Sequence, residues 1–214
     1  MIEANELQPP TRREARRQSR SDAIVEVAAN WFLEHGYAGT TMSAIAAELG
    51  GSKGTLWNHF PSKELLFAAV LERTTTEFRS QLLLALNPAD DLEEALRKFC
   101  RKFLAKVTSP DAVALHRLIS GEVGRFPEIG QIFYQRGPRL TQELLGNFLA
   151  GAMDRGLLRR DDPLVAARTL IGLCLYGCHQ QLLLRVIESA SPEMVLKDAD
   201  HAVDVFKLAY AAAI

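Results

Sequence analysis

The sequence predicts an all-α fold of about nine helices. Apolar residues recur at intervals of three and four along most of the 214 residues, which is the spacing of one helix face, and no stretch alternates strictly between apolar and polar residues. Proline stands repeatedly where such a pattern begins, a place where its missing N–H costs no hydrogen bond. We therefore expect helices throughout and no sheet.

The N-terminal third is interpreted as three helices. Apolar residues recur at helical spacing from Asp22, and Gly36 supplies a left-handed stop. A short helix follows Thr40 and Thr41, either of which can cap it. The turn Gly50-Gly51 ends this helix, and a third segment over about residues 53–60 follows at once. Two short helices joined by a glycine turn and braced by a longer helix are typical of a helix-turn-helix.

The third helix is predicted to enter the major groove of DNA. Gly54 has no side chain, so the helix can approach the groove closely, while Lys53 and Thr55 offer donors to base edges or phosphates. Exposed N–H groups at helix starts attract phosphate. The predicted DNA-binding residues are Thr41, Ser43, Ser52, Lys53, Gly54, Thr55, Trp57, Asn58, His59 and Lys63. The alternative is that Thr41 and Ser52 are only caps and that Trp57 is a packed aromatic.

Positive charge is concentrated near the N-terminus. Residues 11–63 hold seven lysines and arginines against five acidic residues, although the whole chain has a net charge of −1. Five of the arginines fall within nine positions: Arg12, Arg13, Arg16, Arg17 and Arg20. We expect residues 1–19 to form a basic, flexible arm that contacts DNA; the alternative is a solvated tail without a partner.

The N-terminal residues resemble the DNA-binding domain of the TetR family of bacterial regulators. The resemblance rests on Gly36-Tyr37, Thr40-Thr41, Ile45-Ala46, Leu49-Gly50, Ser52-Lys53-Gly54-Thr55-Leu56, Phe60 and Ser62-Lys63-Glu64-Leu65. It implies that Lys53 and its neighbours meet bases, and that Trp57, His59 and Lys63 contact phosphates. The chain departs from the family pattern at Trp57, where tyrosine is usual, and at Asn58, where an aromatic is common.

One motif points instead to an enzyme. The run Gly50-Gly51-Ser52-Lys53-Gly54 fits the G-x-S-x-G nucleophile elbow of hydrolases. That motif requires a strand before the serine and a helix after it, whereas the residues before Ser52 have a helical period. We therefore expect no catalytic residue and no enzymatic activity.

The C-terminal two thirds are predicted to be helical as well. The expected segments are residues 62–86, 90–107, 111–124, 127–155, 163–188 and 192–212. This part loosely resembles the ligand-binding and dimerisation regions of TetR proteins, which implies a DNA-binding domain at 20–64 and a ligand-binding and dimerisation domain at 65–214. Phe103, His116, Tyr134 and Cys174 are candidates for lining a pocket, although a residue of each kind is more often simply part of the core.

The helix that begins at Pro163 is apolar on most of its circumference. Such a helix must be buried on every side. We expect its own subunit to bury one side and a second copy of the chain to bury the other, with the final helix around Val203 to Tyr210 taking part in this interface. The alternative is a central helix buried within one monomer.

Composition excludes several classes of protein. No apolar stretch is long enough to span a membrane, and the first residues lack the apolar run of a secretory signal, so we expect a cytoplasmic protein. Three cysteines give no disulfide framework, and Cys174 with Cys178 makes a poor zinc site. We expect no cofactor and no metal; buried thiols are favoured over a redox pair.

Together these features predict a homodimeric repressor. It should bind palindromic double-stranded operator DNA and be released by a small hydrophobic or amphipathic effector, with helix four as the lever. An activator or a corepressor-dependent regulator would have the same sequence features. A helical protein-interaction module with a vestigial DNA domain is a further alternative.

Overall fold

The computed structural model describes residues 11–50 and 53–212, and these residues form eleven helices in two compact units. The division between the units falls between Val70 and Leu71. Within the described ranges the sole extended pairing is an isolated bridge between Leu158 and Ala211. The helices are α1 (Arg12–Gly39), α2 (Met42–Glu48), α3 (Lys53–His59), α4 (Lys63–Ala85), α5 (Leu92–Val107), α6 (Pro110–Glu122), α7 (Pro127–Arg136), α8 (Pro138–Asp154), α9 (Pro163–Leu175), α10 (Cys178–Leu183) and α11 (Pro192–Tyr210).

Helix α1 begins ten residues earlier than the sequence pattern predicts. Thr11 and Glu14 form a capping box: the Thr11 side chain accepts from the Glu14 N–H, and the Glu14 carboxylate accepts from the Thr11 N–H at 2.8 Å. Capping of this kind satisfies orphan backbone donors and fixes a helix start. The expected flexible arm is therefore wrong for residues 12–19, which are helical, while residues 1–10 lie outside the described residues.

An aromatic cluster forms the core of the N-terminal unit. The buried ring of Phe32 stacks on Tyr37 at 5.8 Å, and both rings meet Phe67 edge-on at 5.0 and 5.3 Å. Gly36 breaks the helical path just before Tyr37, with φ of 72°. Because this left-handed conformation suits glycine, the chain can turn there and return Tyr37 to the core. The left-handed stop predicted at Gly36 is confirmed.

The C-terminal unit is a helical bundle around one apolar core. Helix α9 packs against α8 and α11, and α11 packs in turn on α5. Leu96, Phe99, Leu149, Leu170 and Phe206 are all completely buried between these helices. Each fully buried side chain of this size contributes about 2 kcal/mol relative to an exposed one, so this core holds the unit together.

Two long helices predicted from the sequence are each split in the structure. The expected helix at 127–155 breaks at Gly137, and Pro138 begins α8 at a position where no N–H is needed. The expected helix at 163–188 breaks at Gly177, where a carboxylate oxygen of Asp198 accepts from the Cys178 N–H at 2.6 Å. These two breaks account for eleven helices where about nine were expected.

The three cysteines are buried and free. The pKa of Cys100 is raised well above its usual value, first by its hydrogen bond with Cys174 and then by burial. Burial, together with a hydrogen bond to Asp198, raises the pKa of Cys178 to about 12. Thiols with raised pKa values are poorly reactive, which agrees with the interpretation as core residues.

The candidate pocket residues have different environments. Phe103 and Cys174 belong to the apolar core, whereas the Tyr134 side chain is 44% exposed on α7. The half-buried ring of His116 meets Phe133 and His179 edge-on at 6.0 and 5.6 Å. The residues that the structure describes include no group of three potential metal ligands. None of the helices described is long and apolar enough to cross a membrane.

Candidate nucleic-acid interface

Helices α2 and α3 form a helix-turn-helix. The Thr41 side chain caps α2 by accepting from the Ala44 N–H at 3.1 Å. Gly50, with φ of +60°, supplies the left-handed residue that the turn after Leu49 requires. Thr40 does not share the cap, because its buried hydroxyl donates to the Gly36 carbonyl at 2.7 Å and closes the end of α1 instead.

Helix α3 has one buried and one open face. Leu56 is buried in the unit, as the sequence pattern predicts, and anchors the helix. Gly54 and Asn58 stand one turn apart on the opposite side, and both are exposed. Trp57 is 38% exposed, so part of its indole is open to solvent. A polar face backed by a buried leucine is the arrangement that a groove-reading helix needs.

The remaining predicted contacts lie around this open face. Thr41 and Ser43 are exposed at the start of α2, and Thr55 is half-buried on α3. His59 is half-buried, with its ring 6.4 Å from that of Phe60. Ser52 lies outside the described residues, as does the side chain of Lys53, whose backbone begins α3.

Lys63 occupies a different environment from the other predicted contacts. Its ammonium group donates to the carbonyls of Tyr37 at 2.8 Å and Thr40 at 3.2 Å, and it lies 4.0 Å from the centroid of the Tyr37 ring. Cations stabilise the carbonyl end of a helix, which is where α1 ends. The geometry gives Lys63 a role within the N-terminal unit, and a phosphate contact would compete with these bonds.

The start of α4 is held by neighbouring side chains as well. The Ser62 hydroxyl accepts from the Leu65 N–H at 3.2 Å, and Tyr37 donates to the Glu64 carboxylate at 3.2 Å. Hydrogen bonding from Ser62 is the largest of the causes that lower the pKa of Glu64. A carboxylate kept ionised at a helix start suits the helix dipole.

The helix-turn-helix also shows the structural context of the nucleophile-elbow motif. Helix α2 precedes Gly50 and helix α3 begins at Lys53, so the serine would follow a helix rather than the strand that the motif requires. The local geometry therefore does not support the hydrolase interpretation.

Two family models match the chain. Residues 24–70 match the model for bacterial regulatory proteins of the tetR family, and residues 94–212, more than half of the chain, match the C-terminal domain of AefR-like transcriptional repressors. The chain belongs to the TetR family. The family resemblance predicted from the N-terminal motifs is thereby confirmed, and the match extends over both units.

Individual relatives agree with this TetR assignment. An HTH-type transcriptional repressor of Mycobacterium tuberculosis is 31% identical over 133 residues, which cover 60% of this chain and 64% of the length of that relative. A structure of a TetR-family regulator from Mesorhizobium loti is 27% identical with a TM-score of 0.81, covering 94% of this chain and all of that one. The structure of the Flavonoid-responsive Regulator FrrA is 31% identical, also with a TM-score of 0.81, covering 92% of this chain and all of that one.

Sequence reasoning missed one feature of this TetR N-terminal unit. Residues Arg16 and Arg20 line an open groove whose other wall includes Thr55 of α3. The sequence did contain a signal for it, since Thr11 and Glu14 stand at capping-box spacing and predict a helix through the arginines.

Proposed function

We propose that this TetR-family chain is a dimeric transcriptional repressor that binds palindromic operator DNA through α3 and is released by a small molecule. The observation that carries the proposal is the open face of α3, where Gly54, Trp57 and Asn58 are exposed while Leu56 is buried. The domains proposed from the sequence, 20–64 for DNA and 65–214 for ligand and dimerisation, correspond to these two roles.

DNA binding is tested with a matched pair of asparagine variants. Asn58→Ala removes an exposed amide from α3, and Asn30→Ala removes one from α1 of the same unit. Loss of a base contact costs about 1–3 kcal/mol, so Asn58→Ala should weaken binding to a duplex selected by the wild-type protein about tenfold or more, while Asn30→Ala should not. Unchanged affinity for this duplex in the triple variant Asn58→Ala/Trp57→Ala/Lys53→Ala would contradict the assignment of α3 as the DNA-binding helix.

Dimerisation is supported by apolar side chains that one copy leaves uncovered. In α9 the residues Ala167, Leu170 and Cys174 are buried, but Tyr176, directly after the helix, is 80% exposed. On α11, Leu208 is 86% exposed. The central-helix alternative does not explain this open surface, whereas a two-fold partner would cover it.

The oligomeric state follows from light scattering on the purified protein. Wild type should be a dimer, and Leu208→Glu should shift it toward monomer because two carboxylates would be buried at one interface. The matched variant is Leu84→Glu, at a leucine that is 81% exposed near the end of α4. A monomeric wild type would contradict the proposal, since two reading helices need a two-fold partner.

The effector is proposed to be hydrophobic or amphipathic, and aromatic in particular. The similar regulator FrrA is described as flavonoid-responsive. In the helical bundle of this chain, the ring of His116 contacts the rings of Phe133 and His179. Burial lowers the pKa of both histidines, so their imidazoles are neutral. Neutral imidazoles can donate to or accept from a phenolic hydroxyl.

The proposed switch is a shift between two dimer states, with α4 as the lever. To release DNA cleanly, the effector must favour the unbound state by about 5 kcal/mol. A panel of flavonoids, with a saturated fatty acid as the non-aromatic comparison, is titrated into the protein–duplex complex. Release by a flavonoid supports the proposal; operator affinity unchanged by every compound at saturation would contradict the aromatic assignment.

A further inference from the structure

The first turns of α1 present arginines on a rigid surface. Helix α1 begins at Arg12, so the five arginines follow helical geometry rather than a random tail. Arg12, Arg16 and Arg20 stand on successive turns of one face, and Arg13 and Arg17 form the neighbouring row. Glu14 and Asp22, the acidic residues of these turns, line a neighbouring groove on α1 that includes none of these arginines.

One of these rows faces the reading helix. Arg16, Ser19, Arg20 and Ala23 line an open groove together with Thr55 of α3. The second row takes no part in lining this groove. Arg16 and Arg20 thus lie beside the helix proposed to enter the major groove, on the same unit of the protein.

In the part of the chain that the structure describes, these arginines have no acidic partner that would hold them. Within residues 11–50 and 53–212, no ion pair or side-chain hydrogen bond engages Arg16 or Arg20; the carboxylate of Asp22 accepts from Gln18 at 2.9 Å. Arginine forks match the geometry of phosphate oxygens, and phosphate contacts require no particular base sequence. A duplex seated on α3 carries its sugar–phosphate backbone past Thr55.

We propose that the Arg16–Arg20 row of α1, with Ser19, is a second DNA-contact surface that binds backbone phosphates beside the site read by α3. This inference rests on the proposed DNA binding by α3 and deepens it. It separates two tasks: α3 discriminates sequences, and the arginine row adds affinity for specific and unrelated duplexes alike. The row on α1 thereby sets the salt dependence of binding.

The test compares two double variants that remove the same charge from the same helix. Arg16→Gln/Arg20→Gln removes the row that lines the groove, and Arg13→Gln/Arg17→Gln removes the neighbouring row. Fluorescence anisotropy measures binding of a duplex selected by the wild-type protein, and of a scrambled duplex, over a range of salt concentrations. Circular dichroism and gel filtration check that both variants keep their helices and oligomeric state.

The groove-lining double variant should change the salt dependence and the control should not. Each lost phosphate contact removes about 0.9 from the slope of log K against log salt, so four arginines in a dimer remove about 3.6. The ratio of affinities for selected and scrambled duplexes should stay within about threefold, because phosphate contacts do not read sequence. The control should keep most of the wild-type slope.

Three results would overturn the inference. If the slope of log K against log salt is the same in Arg16→Gln/Arg20→Gln as in the wild type, the Arg16–Arg20 row contacts no phosphate. An equal loss of slope in both double variants would show a diffuse basic field instead of a contact surface. Wild-type protein that binds neither duplex would refute the proposed function itself, a failure distinct from the other two because it precedes any comparison of variants.

Discussion

Lys63 offers a sharp test of the structure, since its position in the sequence predicts a phosphate contact and its surroundings indicate a structural role. The variant Lys63→Met keeps the aliphatic stem and removes the ammonium group. Two charge-assisted hydrogen bonds, to the carbonyls of Tyr37 and Thr40, are then lost together with the cation–π contact on Tyr37.

The expected loss of stability is about 2 kcal/mol. A hydrogen bond to a charged group is worth about 1.5–3 kcal/mol and an exposed cation–π contact about 0.5–1 kcal/mol, but Lys63 is only half-buried and water can replace part of both. With a urea dependence typical of small domains, the unfolding midpoint should fall by roughly 1 M.

Tryptophan fluorescence is the natural probe of this unfolding. Both tryptophans of the chain, Trp31 and Trp57, belong to the N-terminal unit that Lys63 stabilises. Lys102→Met, at an exposed lysine of α5, is the matched variant and should leave the fluorescence midpoint unchanged.

Salt-dependent DNA binding separates the two roles of Lys63. If Lys63 serves the fold, Lys63→Met should leave the slope of log K against log salt unchanged under conditions where the protein is folded. A phosphate contact at each of two sites would instead lower that slope by about 1.8. An unchanged urea midpoint combined with a reduced slope would refute the structural role.

Three further predictions concern packing and protonation. Gly177→Ala would place a methyl carbon in steric conflict with the carboxylate of Asp198, so it should lower the free energy of unfolding in urea by about 1–3 kcal/mol. Gly121→Ala is the matched variant: its methyl group meets no atom within 4 Å and should leave stability unchanged or raise it. Equal effects of the two variants would contradict the close contact at Gly177. Burial lowers the pKa of His179 to about 4, so between about pH 6.5 and pH 4 this histidine is protonated in the unfolded chain but not in the folded one. The free energy of unfolding of the C-terminal unit should therefore fall as the pH drops through this range, and it should fall less steeply in His179→Phe. Thr40→Val removes a buried hydroxyl that donates to two carbonyls, so it should lower the free energy of unfolding by about 1–2 kcal/mol, measured by tryptophan fluorescence. An unchanged free energy of unfolding would contradict the role of Thr40 at the end of α1.

The helix-turn-helix was predictable because its signals are local. Gly36 and Gly50 both adopt positive φ, and Thr41 caps α2, all of which the residue types and their spacing indicate. The inward position of Leu56 follows from helical period alone. Local signals of this kind need no knowledge of the rest of the fold.

The breaks within the long helices were harder to predict, for two different reasons. The Gly137-Pro138 pair is a local turn signal, but the apolar period continues across it and favours one helix. The break at Gly177 depends on the carboxylate of Asp198, which approaches from α11. No pattern in the residues around Gly177 reports that tertiary contact.

The same distinction applies to the candidate site. Trp57 and Asn58 are exposed on α3 as their positions suggest, and their contacts with DNA remain predictions. Lys63 looked like a surface cation because the carbonyls that surround it belong to residues more than twenty positions earlier. The arginine row could have been placed on a helix from the capping box, but its position beside Thr55 needed the fold.

Helix α3 is proposed to enter the major groove twice, once from each subunit. Methylation interference at guanine N7, on a duplex selected by the wild-type protein, tests it most directly because N7 is exposed in that groove. We expect two symmetric clusters of interfering guanines whose centres lie about 34–36 Å apart or a multiple of that distance. A single cluster, or tight binding that N7 methylation leaves undisturbed, would contradict it.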